Sequence, residues 1–439
     1  MSRIDTALRY FNEQKEYTDL RVKSDIETYR KHEMQLNFRS KSGKLPEEIT
    51  VRAEQKNHEF KFGANIFMLD EFECAEKNRI YREKFPECFN LATLPFYWSD
   101  LEPERGKIRF SKNSPKIYRR PAVDLCLEYC REKGIEPKCH VLNYEAFTPE
   151  WLKNASVQEM KNALEERFRS IAEHCADSIP SFEVTNETLR QGFSKFFYED
   201  DFLEWSYRMA DRYFPKNRLI INDYNYWLPE LYNNRNLYYM QIERLLKNGI
   251  THLDSIGLQF HSFFKSEQEP LQAAVRYNPE KLFKITDLYA KFGLAEQITE
   301  MTLPAYGSGA EDEYVQSEIL RNIYSIFFSR PAMEAVIYWN LVDGYAAFAP
   351  VGDMTKGENY YYGGLLNHDM SEKPAYKTLK QLINEEWHTD ATVAAKNGTA
   401  KFRGFCGDYK ITVTADGKNY ERNLLLSKKA NCTYTIELD

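Results

Sequence analysis

Ser181-Phe182-Glu183-Val184-Thr185-Asn186-Glu187, with Arg218-Leu219-Ile220-Ile221-Asn222-Asp223-Tyr224 further on, decides the fold. Each is a short apolar run rich in strand-forming side chains, bounded by polar residues and too short for a globular helix. Before the first of them, Val157 to Ala176 repeats its apolar positions at helical spacing. The same alternation continues outward. Further runs are Phe60 to Phe67, Cys88 to Pro95, Pro137 to Tyr144, Ser255 to His261, Ala295 to Met301 and Ala335 to Asn340. Helix-period segments such as Pro279 to Phe292 lie between most of them. Strand and helix alternating through eight runs is the pattern of a closed (β/α)8 TIM barrel, an α/β fold. A doubly wound sheet is the rival, but no Gly-rich turn follows the first run to hold a dinucleotide.

The flanks read differently. The first ~34 residues have helical spacing. Gln35 to Ser40 and Glu48 to Ala53, with Gly43 between them, alternate as two strands of a hairpin. After Asp390, short strand-like pieces recur, with Asp416-Gly417 as a turn signal. Three segments are therefore expected: 1–59, an N-terminal helix and β-hairpin; 60–389, the barrel; and 390–439, a small C-terminal β module. Because a barrel chain enters and leaves at one face, the two terminal segments should share one accessory sheet or sandwich.

The chain has 439 residues, with 59 Lys+Arg against 66 Asp+Glu and a net charge of -7. That balance argues against a nucleic-acid partner, which calls for a basic face. No apolar window approaches the ~18 residues of a membrane span, so no membrane partner is expected. The opening stretch lacks the apolar centre of a secretion signal. The expectation is a protein that stays in the cell, or one whose signal is absent from this chain. Eight scattered cysteines form no CxxC pair and fit a reducing compartment. No metal-ligand cluster or phosphate-cradling loop is evident, and no cofactor is expected. The oligomeric state is not legible. Aromatic residues make up 15%, which serves a core first and sugar-stacking platforms second.

Barrel sites gather where strands end. The fourth run ends in Asn186-Glu187 and the seventh in Thr299-Glu300, on opposite sides of the barrel mouth. A pair of carboxylates is what glycosidic hydrolysis needs: one protonated to release the leaving oxygen, one ionised to meet the sugar carbon. Amides, His and Trp at the neighbouring ends (His140, Asn222, Gln259, His261, Trp339) strengthen that reading. Glu145 could be a third carboxylate near the site or could face solvent.

These residues resemble glycoside hydrolase family 10, the retaining endo-β-1,4-xylanase family. The resemblance rests on Thr185-Asn186-Glu187, Asn222-Asp223-Tyr224-Asn225, Gly257-Leu258-Gln259-Phe260-His261, Ile298-Thr299-Glu300, and Trp339 with Asp343. Trp98 with Glu102-Pro103-Glu104-Arg105-Gly106, His140, Pro149, Trp151 and Lys373-Pro374-Ala375-Tyr376 follow in the family's order, over roughly 60 to 385. The resemblance implies Glu187 as acid/base and Glu300 as nucleophile. It implies His261 orienting Glu300, Asn186 on the sugar 2-hydroxyl, Gln259 and Asn222 supporting Glu187, and Trp339 lining the sugar pocket. His140, Tyr144 and Trp98 complete the expected substrate-binding set. Asp223 is expected to be a structural acceptor. Phe96, Phe147, Tyr226, Trp227 and Tyr360-Tyr361-Tyr362 are further stacking candidates.

The sequence departs from the family where it usually grips its sugars. The second strand of the family carries Glu-Asn-x-Met-Lys-Trp; here Thr93, Leu94 and Tyr97 occupy the Glu, Asn and Lys positions. The third strand usually ends Trp-His-Ser-Gln; here it reads Tyr144-Glu145-Ala146-Phe147. The expected function is a retaining hydrolase of a β-1,4-linked polysaccharide or oligosaccharide, foremost xylan. A decorated or different β-glycan, or a carbohydrate-binding protein without turnover, are the alternatives.

Overall fold

The protein is described by a computed structural model covering residues 2–41, 43–224, 227 and 233–438. Asn225 and Tyr226, named above, lie outside the described residues. In chain order the strands are β1 (Lys31–Arg39), β2 (Ile49–His58), β3 (Lys61–Asn65), β4 (Leu91–Pro95) and β5 (Glu136–His140). Then come β6 (Ser181–Asn186), β7 (Arg218–Tyr224), β8 (Ser255–His261), β9 (Ala295–Thr302) and β10 (Met333–Tyr338). The last are β11 (Asp390–Ala394), β12 (Thr399–Phe405), β13 (Gly407–Ala415), β14 (Lys418–Leu426) and β15 (Thr433–Glu437). Strands β3 to β10 close into a parallel barrel, β10 pairing back onto β3.

Helices follow the barrel strands and cover their outer faces. The segment Val157–Cys175 shows why one forms. Ser156 caps it and accepts from the Glu159 amide, while Glu159 reaches back to the cap. Its buried residues Met160, Ala163, Leu164, Phe168, Ile171 and Cys175 fall on one stripe. Phe168 is fully buried, so truncation to Ala would cost about 3–5 kcal/mol. Along the strands, alternate side chains turn outward to these helices or inward to the barrel axis. Cys139, Phe182, Ile221 and Leu258 join the large outer core. Lys138, His140, Glu183 and Asn222 are buried too, but hydrogen-bond or ion-pair with one another, or with Glu300, inside the barrel.

The terminal segments form two small sheets, in the orders β12-β1-β15 and β11-β2-β13-β14. They enclose a core of their own that includes Met34, Leu36, Val51, Phe402, Ile411 and Val413. Two expectations are corrected. β1 and β2 are not a hairpin: β1 pairs with β12 and β15, β2 with β11 and β13. The helical stretch ends at Tyr29, and β1 begins at Lys31, paired with Phe405. Local alternation reveals a strand but not its partner, and the partners here come from the far end of the chain. The two parts are joined through Arg30, which donates to the carbonyls of Phe328, Arg330 and Met333, and through Trp387, stacked 4.3 Å from Phe328.

Candidate active site

A cleft of about 900 Å³ opens at the C-terminal ends of the barrel strands, and Glu187 and Glu300 both line it. Glu187 follows β6 in a left-handed backbone conformation (φ 51°) uncommon for a side-chain-bearing residue. Its amide donates to the Asn222 carbonyl at 3.1 Å, which turns the chain off the strand. Its carboxylate accepts from the Tyr144 hydroxyl at 2.7 Å and pairs with Arg190 at 3.1 Å.

Glu300 is held from both sides. One oxygen accepts from Asn222 Nδ2 at 3.0 Å and Gln259 Nε2 at 3.1 Å; the other meets His261 Nε2 at 2.9 Å. Burial pushes the Glu300 carboxyl up to about 8; the Glu183 and Glu187 charges push the same way, while His140 and the Asn222 amide pull it down. Burial also lowers His261 to about 4, so its ring is neutral near pH 7. A neutral imidazole has one N–H. The Thr302 hydroxyl, 2.9 Å from Nδ1, can donate or accept, so when Glu300 is ionised Nε2 carries the proton and donates it to that carboxylate.

Asn222 is the central tie. Its amide nitrogen also reaches Asn186 Oδ1 at 2.8 Å, and its oxygen accepts from Thr299 at 2.6 Å. Gly257 makes room for it: a Cβ there would lie 2.7 Å from Asn222 Oδ1 and 2.7 Å from Thr299 Cγ2. Below this layer, Glu183 binds Lys138 and His140, all three buried. Burial opposes the Glu183 charge, but Lys138 and His140 outweigh it and hold the carboxyl near 2. Burial likewise opposes a charge on His140, yet the Glu183 carboxylate raises its pKa overall.

Asn186, His140, Gln259, His261, Trp339 and Tyr144 line the cleft, and Asn222 lies directly behind it. Trp98 does not line it. Its indole is buried, donates to Glu102 at 2.9 Å, and meets Trp151 edge-on at 5.8 Å. The short helix Trp98–Leu101 turns the ring away from the barrel mouth. Glu145 takes neither of its expected places: it is buried, accepts from the Phe193 and Ser194 amides, and ties down the loop after β6. Asp223 does the same for that loop's start, accepting from Thr188 and the Leu189 amide. Among the stacking candidates, Tyr144, Phe147 and Tyr361 line the cleft, whereas Phe96 and Trp227 are core residues.

Several cleft residues had no sequence signal. Phe67 packs 5.3 Å from Trp339, and Arg120 lies 4.0 Å over the ring of Tyr97. Arg119, Arg190, Phe263 and Arg276 complete the wall. Apart from Arg276, which ends the helix Glu269–Arg276, they sit in strand-end loops, where no periodicity marks a direction.

The profile of glycosyl hydrolase family 10 matches residues 60–382. The chain belongs to glycosyl hydrolase family 10. This family 10 chain is 26% identical over 352 residues to endo-1,4-beta-xylanase B of Thermotoga neapolitana, covering 77% of itself and 92% of that protein. It is 25% identical over 411 residues to the anti-sigma-I factor RsgI6 of Acetivibrio thermocellus, covering 91% of itself but only 47% of that protein. The family 10 barrel also superposes on xylanase 10B from Thermotoga petrophila, solved with xylobiose, with a TM-score of 0.57 at 21% identity over 75% of this chain and 95% of that one.

Proposed function

We propose that the protein is a retaining endo-β-1,4-glycanase acting on xylan or xylo-oligosaccharides, with Glu300 as nucleophile and Glu187 as acid/base. The observation that carries the reading is the convergence of these two carboxylates on one cleft inside a family 10 barrel. In such a site Glu187 protonates the glycosidic oxygen while Glu300 attacks the anomeric carbon and forms a glycosyl-enzyme. Glu187, now a base, then deprotonates the water that releases the sugar.

The surrounding groups suit that sequence. Asn186 has its oxygen occupied by Asn222 and Gln259, which leaves its NH2 to donate to a sugar hydroxyl. The three donors on Glu300 favour its ionised form against burial. Charge on His140 would make both ring nitrogens donors, so the Tyr97 oxygen, 3.1 Å from Nε2, would accept and its proton would face the substrate. Residues 60–389 would carry catalysis, and the two terminal segments would be structural.

The test is hydrolysis of xylo-oligosaccharides with product configuration followed by NMR. Retained configuration is expected, and Glu300→Gln should lose about four orders of magnitude or more in kcat. Inverted product, or full activity in Glu300→Gln, would refute the reading.

A further inference from the structure

Arg119 is buried, yet it lines the cleft. It shares a wall of the cleft with Phe67, its guanidinium 5.8 Å from the centre of that ring. Its backbone is left-handed (φ 61°), an uncommon state for Arg. Its terminal nitrogens go to two uncharged acceptors, the Tyr345 carbonyl and Asn340 Oδ1, the latter at 3.0 Å. Its Nε is buried without a partner.

Two other buried arginines provide the contrast. Arg109 and Arg167 also bind carbonyls, but each has its Nε satisfied, by Pro115 and Leu142 respectively, and neither lines this cleft. Arg120, the neighbour of Arg119, is already balanced by Asp100 at 2.7 Å. Among the described residues Arg119 has no ion pair. The Glu358 carboxylate, which lines the same cleft and accepts from Asn340 Nδ2 at 3.2 Å, offsets part of the Arg119 charge through space but makes no direct contact with it. A guanidinium taken out of water and left with neutral acceptors is unfavourable unless an anion joins it. Guanidinium and carboxylate match in geometry as well as charge.

Building on the glycanase reading, we propose that this wall of the cleft takes a uronic acid substituent on the β-1,4 backbone, with Arg119 as the group that receives its carboxylate. The loss of the usual sugar-gripping groups at Thr93, Leu94 and Tyr97 is then compensated: the wall recognises a decorated unit in which one anionic contact substitutes for several hydroxyl contacts.

The experiment compares a glucuronic-acid-substituted xylo-oligosaccharide with the same compound after reduction of its carboxyl group. The wild type should show at least tenfold higher kcat/KM on the acidic compound. In Arg119→Gln that ratio should fall to within about twofold of one. A ratio near one in the wild type, or an unchanged ratio in the variant, overturns the proposal. Calorimetric binding of the same two compounds to the Glu300→Gln protein reads the preference independently, should Arg119→Gln fail to fold. It also separates the two readings. If the wild type cleaves neither compound, the glycanase reading falls. At least tenfold tighter binding of the acidic compound would still support the carboxylate site, and equal or absent binding would overturn it.

Discussion

Tyr144 donates its hydroxyl to Glu187 at 2.7 Å, across the gap between the ends of β5 and β6. The family pattern has Trp-His-Ser-Gln at this strand end, so the contact belongs to this chain's own version of the site. Tyr144→Phe keeps the ring packed against Phe147, 5.2 Å away, and removes only the donor. A hydrogen bond to a charged group contributes about 1.5–3 kcal/mol, so kcat/KM on xylo-oligosaccharides should fall about 10- to 100-fold. Steady-state kinetics of the variant checks this, and an unchanged kcat/KM would remove Tyr144 from the working site.

Glu300 must be ionised to attack, and its surroundings raise its pKa to about 8. In the free enzyme the ascending limb of kcat/KM, set by Glu300 ionisation, should therefore extend toward about 8, well beyond the ordinary carboxylate range of about 4, with loss of the Glu187 proton setting the descending limb. The same shift bears on stability. The folded carboxyl binds its proton more tightly than the unfolded one, so folding is favoured at low pH and loses free energy as pH rises from about 4.5 to about 8. Urea melts of Glu300→Gln across that window should show a flatter pH dependence than the wild type. Parallel curves would contradict the shift.

The buried Lys138–Glu183 pair gives the opposite sign. Glu183 is held near 2, so its contribution is present above the unfolded carboxylate pKa of about 4.3 and is lost as pH falls toward 2. Lys138→Met would leave that charge with only His140 and the Asn222 amide as partners. Breaking a buried pair from one side costs about 3–5 kcal/mol, which should appear as a lowered urea midpoint at pH 7. A midpoint within error of the wild type would show that His140 and Asn222 compensate by themselves.

Trp98 provides a check on architecture. Trp98→Phe removes the indole donor from Glu102, which retains the Gly106 amide at 2.7 Å. Stability should drop by about 1–3 kcal/mol while KM for xylo-oligosaccharides stays within twofold. A rise in KM without loss of stability would return Trp98 to the substrate-binding set.

The barrel was legible because its signal is local and repeated. Each run from Phe60–Phe67 to Ala335–Asn340 overlaps one of β3 to β10, and in a parallel barrel each strand's neighbour in sequence is its neighbour in space. Strand direction then puts Glu187 and Glu300 at the same end without further information. The loops and the termini did not yield to that reasoning. Trp98, Glu145, Arg119 and Arg120 sit in segments with no period, so the same letters are compatible with facing inward, outward or into a neighbouring loop. β1 and β2 carry clear alternation, but their partners lie at residues 390–437, and nothing local distinguishes those from each other. The amino-acid order alone determined which residues form strands and which two acids end them. Three-dimensional packing decided what surrounds those acids, because burial, charge pairing and long-range strand partners arise only once distant segments are brought together.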